Sequence, residues 1–188
     1  METKLTKEQV ENIQIDHGIL IKNYGLESQA VIAPLRGGTN FKVERTYRDI
    51  DFDGKKGRTK GLKTIDEENA SITAKTLNTS LETIADKLPG STITKDGQKI
   101  TKIEGENIGL ISEDDYIENI TMFAQKIDGE YIKATIYNAL DENGFDFSAV
   151  QKAEGEIELV YNAHHKYDGT SKLYSIENVE NIDDAEEG

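Results

Sequence analysis

Four dipeptides set the outline of this chain: Asp96-Gly97, Asp128-Gly129, Asn143-Gly144 and Asp168-Gly169. Asp-Gly and Asn-Gly pairs tolerate positive φ at the centre of a two-residue hairpin, and that backbone matches the twist of antiparallel strands. Between and around them lie short runs rich in β-branched and aromatic residues, at 100–103, 108–111, 116–126, 131–138, 145–152 and 156–162. Short strands at regular spacing, separated by turn pairs, predict a mainly β fold, an antiparallel β-sandwich or a barrel-like sheet.

The first half follows the same period with one exception. Thr6 is a helix cap with Gln9 three residues on, a capping-box spacing, so a short helix is expected over 6–12. Ile13, Ile15, His17, Ile19 and Ile21 then alternate as in a strand. Residues 23–25 read as a turn, 29–33 as a second short strand, and Pro34, Gly37 and Gly38 as a break. From Phe41 a strand puts Val43, Arg45, Tyr47 and Asp49 on one face and Lys42, Glu44, Thr46, Arg48 and Ile50 on the other. Asp53, Gly54 and Gly57 make a turn region, the chain heads back over 61–65, and residues 70–77 are β-branched again. A single strong helix is expected at about 79–88, starting at Asn78 or Thr79. Its Leu81, Ile84, Ala85 and Leu88 share one face, and Pro89-Gly90 stops it. The organisation read from this is an N-terminal arm with a short helix (1–12), one β domain (13–168) with a hairpin (41–65) inside it, and an acidic C-terminal arm (169–188). Residues 177–188 hold six acids and no base, which predicts a mobile tail.

Charge is distributed unevenly. The 188 residues carry a net −14. From Lys42 to Lys63 there are eight bases against four acids, a local balance of +4, which leaves −18 elsewhere. Such a chain is a poor nucleic-acid binder, because affinity for phosphate comes from Lys and Arg. A cationic arm on an anionic body does supply two unlike patches, and unlike patches on identical copies give rings or open stacks. The expected interface residues on the hairpin are Arg45, Tyr47, Arg48, Phe52, Lys55, Lys56, Arg58, Lys60 and Leu62, with Phe41 adding apolar contact. Their partners are expected among Glu67, Glu68, Glu104, Glu106, Asp114, Glu118 and the tail acids. Cysteine is absent, which removes disulfides and thiolate metal sites. No apolar run reaches the ~20 residues of a membrane span, and residues 1–11 are too polar for a secretory segment, so a cytosolic product is expected.

Residue patterns that carry chemistry fail on inspection. Asp49, Asp51, Asp53 and Gly54 match the first half of a calcium loop, but position twelve, which needs a bidentate carboxylate, is Lys60. Gly54, Gly57 and Gly61 lie among bases without a G-x-x-x-x-G-K-[ST] run or a following helix. His164 and His165 are neighbours and point to opposite faces of a strand, and a structural role is expected for them and for His17. No catalytic residue, metal or cofactor is predicted.

The order of segments resembles the major tail protein (tail tube protein) of long-tailed, siphovirus-type bacteriophages of low-GC Gram-positive hosts. The pieces are Asp16-His17-Gly18, the turn from Pro34 to Phe41, Val43-Glu44 into Tyr47-Arg48-Asp49-Ile50, Asp53-Gly54, the Gly57–Gly61 return, the helix, and 156–163 with His164. The resemblance implies a tail-tube β fold with a flanking helix, a protruding hairpin and extended termini. It implies hexameric rings, stacked around a tape-measure protein, ending at a tail terminator and a distal tail protein. DNA would pass through an acidic lumen without specific binding. Glu44, Asp49 and Glu158 are the candidate lumen acids, and the product would be assembled in the host bacterial cytoplasm and reside in the virion tail. A phage-derived β-sandwich adhesin or carbohydrate-binding module is the competing expectation, weakened by the absence of Trp.

Overall fold

The computed structural model describes residues 6–15, 18–105, 108–147, 154–167, 169 and 171–182. Asp16, His17, Glu106, Asp168, residues 148–152 of one expected strand and the tail acids beyond 182 lie outside them.

Local signals account for the first elements. Helix α1 (Lys7–Glu11) is closed by Thr6, whose hydroxyl accepts from Gln9 N while Gln9 Oε1 accepts from Thr6 N, as the spacing predicts. The strands are β1 (Ile19–Lys22), β2 (Ala30–Val31), β3 (Leu35–Asp49) and β4 (Lys63–Thr76), followed by helix α2 (Leu81–Lys87). Then come β5 (Thr92–Asp96), β6 (Lys99–Glu104), β7 (Ile117–Gln125), β8 (Tyr131–Asp141), β9 (Ile157–Asn162) and β10 (Tyr174–Val179). All pairings are antiparallel. Asp96-Gly97 and Asp128-Gly129 close the β5–β6 and β7–β8 hairpins, with Gly97 and Gly129 at positive φ.

Strand β8 organises the molecule. The main sheet runs β2-β1-β7-β8-β9-β4-β3, with β10 as an extra partner of β8. Opposite β7, the free side of β8 is shared: β10 takes residues 131–136 and β9 takes 140–141. Between the two stretches Asn138 adopts φ 48, a left-handed backbone that Asn tolerates better than most residues. Its side-chain amide donates to His164 O at 2.9 Å, holding the incoming loop there. The sheet therefore turns over at β8. Leu20, Ile120 and Ile136 from one half meet Ile72, Leu159 and Tyr161 from the other in a single buried core. A smaller cluster of Ile21, Tyr24 and Phe123 covers the opposite side of the β1–β7 half.

Several boundaries differ from expectation. Of the strand expected over 13–21, the described residues place 19–21 in β1, with an isolated bridge between Gln14 and Lys126 before it. Gly37 and Gly38 do not break the chain. They sit at φ 78 and 86 in a bulge, and β3 passes through them to pair with β4 along its whole length. The segments 61–65 and 70–77 are one strand. Residues 108–111 form no strand, and Leu110 is left uncovered by the described residues. Residues 177–179, expected in a mobile tail, are the end of β10.

Helix α2 starts later than expected, because Asn78 Oδ1 accepts Ser80 N and leaves Ser80 as the cap. Its apolar face is only half of its docking surface. Ile84 packs on the core, but the most buried residue of the helix is Lys87. Lys87 Nζ lies 2.7 Å from Asp141 Oδ1, and Lys22 Nζ lies 2.6 Å from Asp86 Oδ1. Burial pushes the Asp86 carboxyl up, against the pull of Lys22. This group therefore favours the folded state most at low pH, and that contribution fades as pH rises through its folded value.

Gly18, just before β1, is packed from three sides. A Cβ there would lie 2.7 Å from Thr39 Oγ1, 2.8 Å from the Phe123 carbonyl and 3.0 Å from Met122 Cγ. The carbonyl belongs to β7 and cannot step aside. Gly18→Ala is expected to lower stability by about 1–3 kcal/mol, as for other overpacked sites, and thermal unfolding would register it as an earlier transition.

Candidate functional site

The β3–β4 hairpin leaves the body after Val43. Phe41 and Val43 rest on the core, whereas residues 44–48 are exposed on both faces. Thr46 pairs with Glu67 and Tyr47 with Ile65, so Asp66 bulges out of β4. Beyond the bulge the hairpin presents Tyr47, Ile50, Phe52 and Ile65 to solvent, Phe52 being 56% exposed. Apolar side chains on an unsupported projection gain nothing in the monomer.

Charges along the hairpin are more nearly balanced than the stretch 42–63 suggests. Extending the count to Glu68 adds Asp66, Glu67 and Glu68 and no base, leaving +1. Arg45 Nε donates to Glu68 Oε1, and Arg45 Nη2 donates to Tyr174 Oη at 2.8 Å. Arg48 Nε reaches Asp66 at 2.8 Å, and Lys42 meets Glu44 at 2.6 Å. Asp49 faces Lys63 at 3.5 Å and Arg58 at 4.0 Å. Lys55 folds back onto Asp51 at 2.6 Å and Ile50 O at 3.1 Å, so it fastens the tip rather than reaching outward. Two of the three acids of the half-matched calcium loop are thus engaged by the chain's own cations. Lys56 and Lys60 form no ion pair among the described residues, and the Arg58 side chain is 88% exposed.

The hairpin root is tied to the last strand. Tyr174 of β10 sets its ring edge-on to Phe41, with centroids 5.8 Å apart, and donates to Glu68 Oε1 at 3.2 Å. Chiefly through the hydrogen bond from Arg45, Glu68 is held below the ordinary carboxylate range, and Arg45 is pushed further up by the same contact. Folded Glu68 therefore holds its proton less tightly than unfolded Glu68. Its contribution is complete above the unfolded value, about pH 4.3, and is lost as pH falls through the folded one. In urea unfolding, the stability lost between about pH 6 and pH 3 should be smaller for Glu68→Gln than for the parent chain.

The acids expected to receive the hairpin sort themselves. Glu68 pairs with Arg45, Glu67 accepts from Thr46 at 3.3 Å, Glu104 lies 2.5 Å from Lys102, and Glu177 lies 3.1 Å from Lys133. Asp114 and Glu118 meet no base among the described residues. Both line a cleft of about 760 Å³ between residues 109–118 and the loop after β9. Glu113, also without a base among the described residues, stands beside them on a short 3₁₀ turn (Glu113–Asp115) capped by Ser112. His164 forms the cleft wall: its backbone N donates to Tyr137 O at 3.2 Å, and its ring meets Tyr116 edge-on at 5.2 Å. His165 is held the same way, its Nδ1 donating to Ser171 O at 2.9 Å. Leu110 and Tyr167 at the rim are 93% and 86% exposed. Sequence reasoning misses this cleft, because it is assembled from two segments about 50 residues apart in the chain.

Of the candidate lumen acids, Glu44 and Glu158 share the outward face of the β3-β4-β9 half with Asn40, Ser71, Thr73 and Asn162. Asp49 belongs to the hairpin's far end instead. No helix among the described residues is long and apolar enough to cross a membrane.

No protein-family model and no curated protein matches the chain. In structure it is similar to a chain of the tail of an empty gene transfer agent particle of C6 symmetry, with a TM-score of 0.37, 12% identity, and coverage of 79% of this chain and 91% of that one. It is likewise similar to a chain of the virion of a native gene transfer agent particle, with a TM-score of 0.37, 14% identity, and coverage of 85% and 95%.

Proposed function

We propose that this protein is a structural virion protein without catalytic activity, the subunit of a phage-type tail tube that polymerises through its β3–β4 hairpin. One observation carries the reading: the described residues cover the hairpin's outer half on neither face, yet it presents Tyr47, Ile50, Phe52 and Ile65. A contact between that projection and a different surface of the next copy is heterologous, and heterologous contacts generate rings or continuous stacks. Six subunits per ring, a tape-measure protein inside, a terminator and a distal tail protein at the ends, and assembly in a bacterial cytoplasm follow from the resemblance to major tail proteins.

Passage of DNA is compatible with the polar face that carries Glu44 and Glu158. Every unpaired cation lining a bore would be repeated around each ring and would hold phosphate. On this face Lys42 is neutralised by Glu44, Lys75 lies 4.0 Å from Glu156, and Arg36 is clamped by Glu154 and Glu156 at 3.1 and 2.7 Å. The face therefore offers hydroxyls, amides and acids but little free positive charge.

Negative-stain microscopy and sedimentation of the purified chain over a rising concentration series test the proposal. Rings or tubes are expected. A monodisperse monomer at every concentration would overturn it.

A further inference from the structure

The surface that receives the hairpin can be assigned as well. Resting on the self-assembly reading above, we infer that the cleft between residues 109–118 and the loop after β9 accepts the hairpin tip of a second copy of this chain. Two inventories of unsatisfied groups match. The tip offers Lys56 and Lys60 without ion pairs among the described residues, Arg58 only loosely held, and exposed Ile50 and Phe52. The cleft offers Glu113, Asp114 and Glu118, which form no ion pair among the described residues and outnumber the one lysine of the lining, Lys166, together with exposed Leu110 and Tyr167. Other acids expected as partners are spent inside their own subunit, as Glu68 and Glu104 show. At about 760 Å³ the cleft is in the range of sites that engulf a compact group, so it suits a loop tip and not a domain. The tip stands seven residues beyond Val43, roughly 20 Å at strand rise, far enough to enter a neighbour without the two bodies colliding. Aromatic and aliphatic anchors at the centre supply the affinity, and the charges around them fix orientation.

Absence of cysteine makes the test direct. Full-length Asp53→Cys and Lys166→Cys chains are mixed under assembly conditions and oxidised. Asp53 neighbours Phe52 at the tip, Lys166 lines the cleft, and both are exposed, so neither change removes a proposed contact. The expected product is a disulfide-linked dimer formed by the mixture and by neither chain alone. Pairing Asp53→Cys with Glu27→Cys, an exposed position outside the cleft, should give none. Assemblies that form without the selective 53–166 link would overturn the cleft assignment and leave self-assembly standing. A parent chain that never assembles would remove both. As a second arm, Lys56→Glu with Lys60→Glu should raise the assembly concentration about tenfold, as two exposed pairs allow, and Glu113→Lys with Asp114→Lys in the same chain should bring it back. Failure of that rescue would also overturn the assignment.

Discussion

Replacing residues 50–62 with Asn-Gly should yield a chain that folds normally and does not assemble. Asp49 and Lys63 are the last paired residues of the hairpin, so a two-residue turn closes it in register. No side chain of the tip belongs to the main core. Shortening the connection also lowers the entropy cost of closure slightly. Thermal unfolding should therefore shift by no more than about 2–4 °C, the equivalent of ~1 kcal/mol in a chain of this size. Assembly should respond very differently. The change removes Phe52, Ile50, both free lysines and Arg58 together, the whole centre of the proposed contact. The concentration at which rings appear should rise at least about 100-fold, ~2.8 kcal/mol, read by sedimentation or light scattering. Unchanged assembly would place the contact elsewhere.

The largest loss of stability is expected from Asp141→Ala. Asp141 is 1% exposed. Its carboxylate accepts from Lys87 Nζ and Val160 N, each at 2.7 Å, and from Asn143 N at 3.0 Å. Removing it strands a buried ammonium and two backbone donors. Breaking one side of a buried pair costs about 3–5 kcal/mol, close to half of the roughly 5–15 kcal/mol that typically holds a domain together. The double change Lys87→Met with Asp141→Leu removes both charges and should recover much of the loss, because desolvating a pair costs nearly what its attraction returns. Urea unfolding of the parent and both variants checks this. A double variant as unstable as the single one would show that Asp141 matters for Val160 and Asn143 rather than for Lys87.

Features set by neighbours along the chain are legible in the residues themselves. The Thr6–Gln9 box, the Asp-Gly turns and the alternation from Phe41 to Asp49 each depend on residues within a few positions. Features set by register are not. Arg45 and Arg48 read as free within the stretch 42–63, because the acids that answer them lie beyond Lys63; Asp66 reaches Arg48 only because β4 bulges there. Lys87 cannot be read as buried, since its counter-ion lies 54 residues away on β8. Strand β10 escapes notice because Glu177 and Asn178 dilute its apolar pattern, and it is stabilised by an edge of β8 that exists only once the sheet has turned over. Residues 108–111 mislead in the opposite direction: Ile108, Leu110 and Ile111 resemble a strand, but nothing among the described residues pairs with them. The hairpin half of the candidate site is therefore visible in the sequence, and the cleft half is not.

Tyr174 carries a further implication. It is 129 residues from Arg45, yet it props the base of the projection. A chain ending at Leu173 would keep every residue of the hairpin and lose the strut that sets its angle. Genetic damage near the terminus would then surface as a misaimed finger as well as a bared edge of β8.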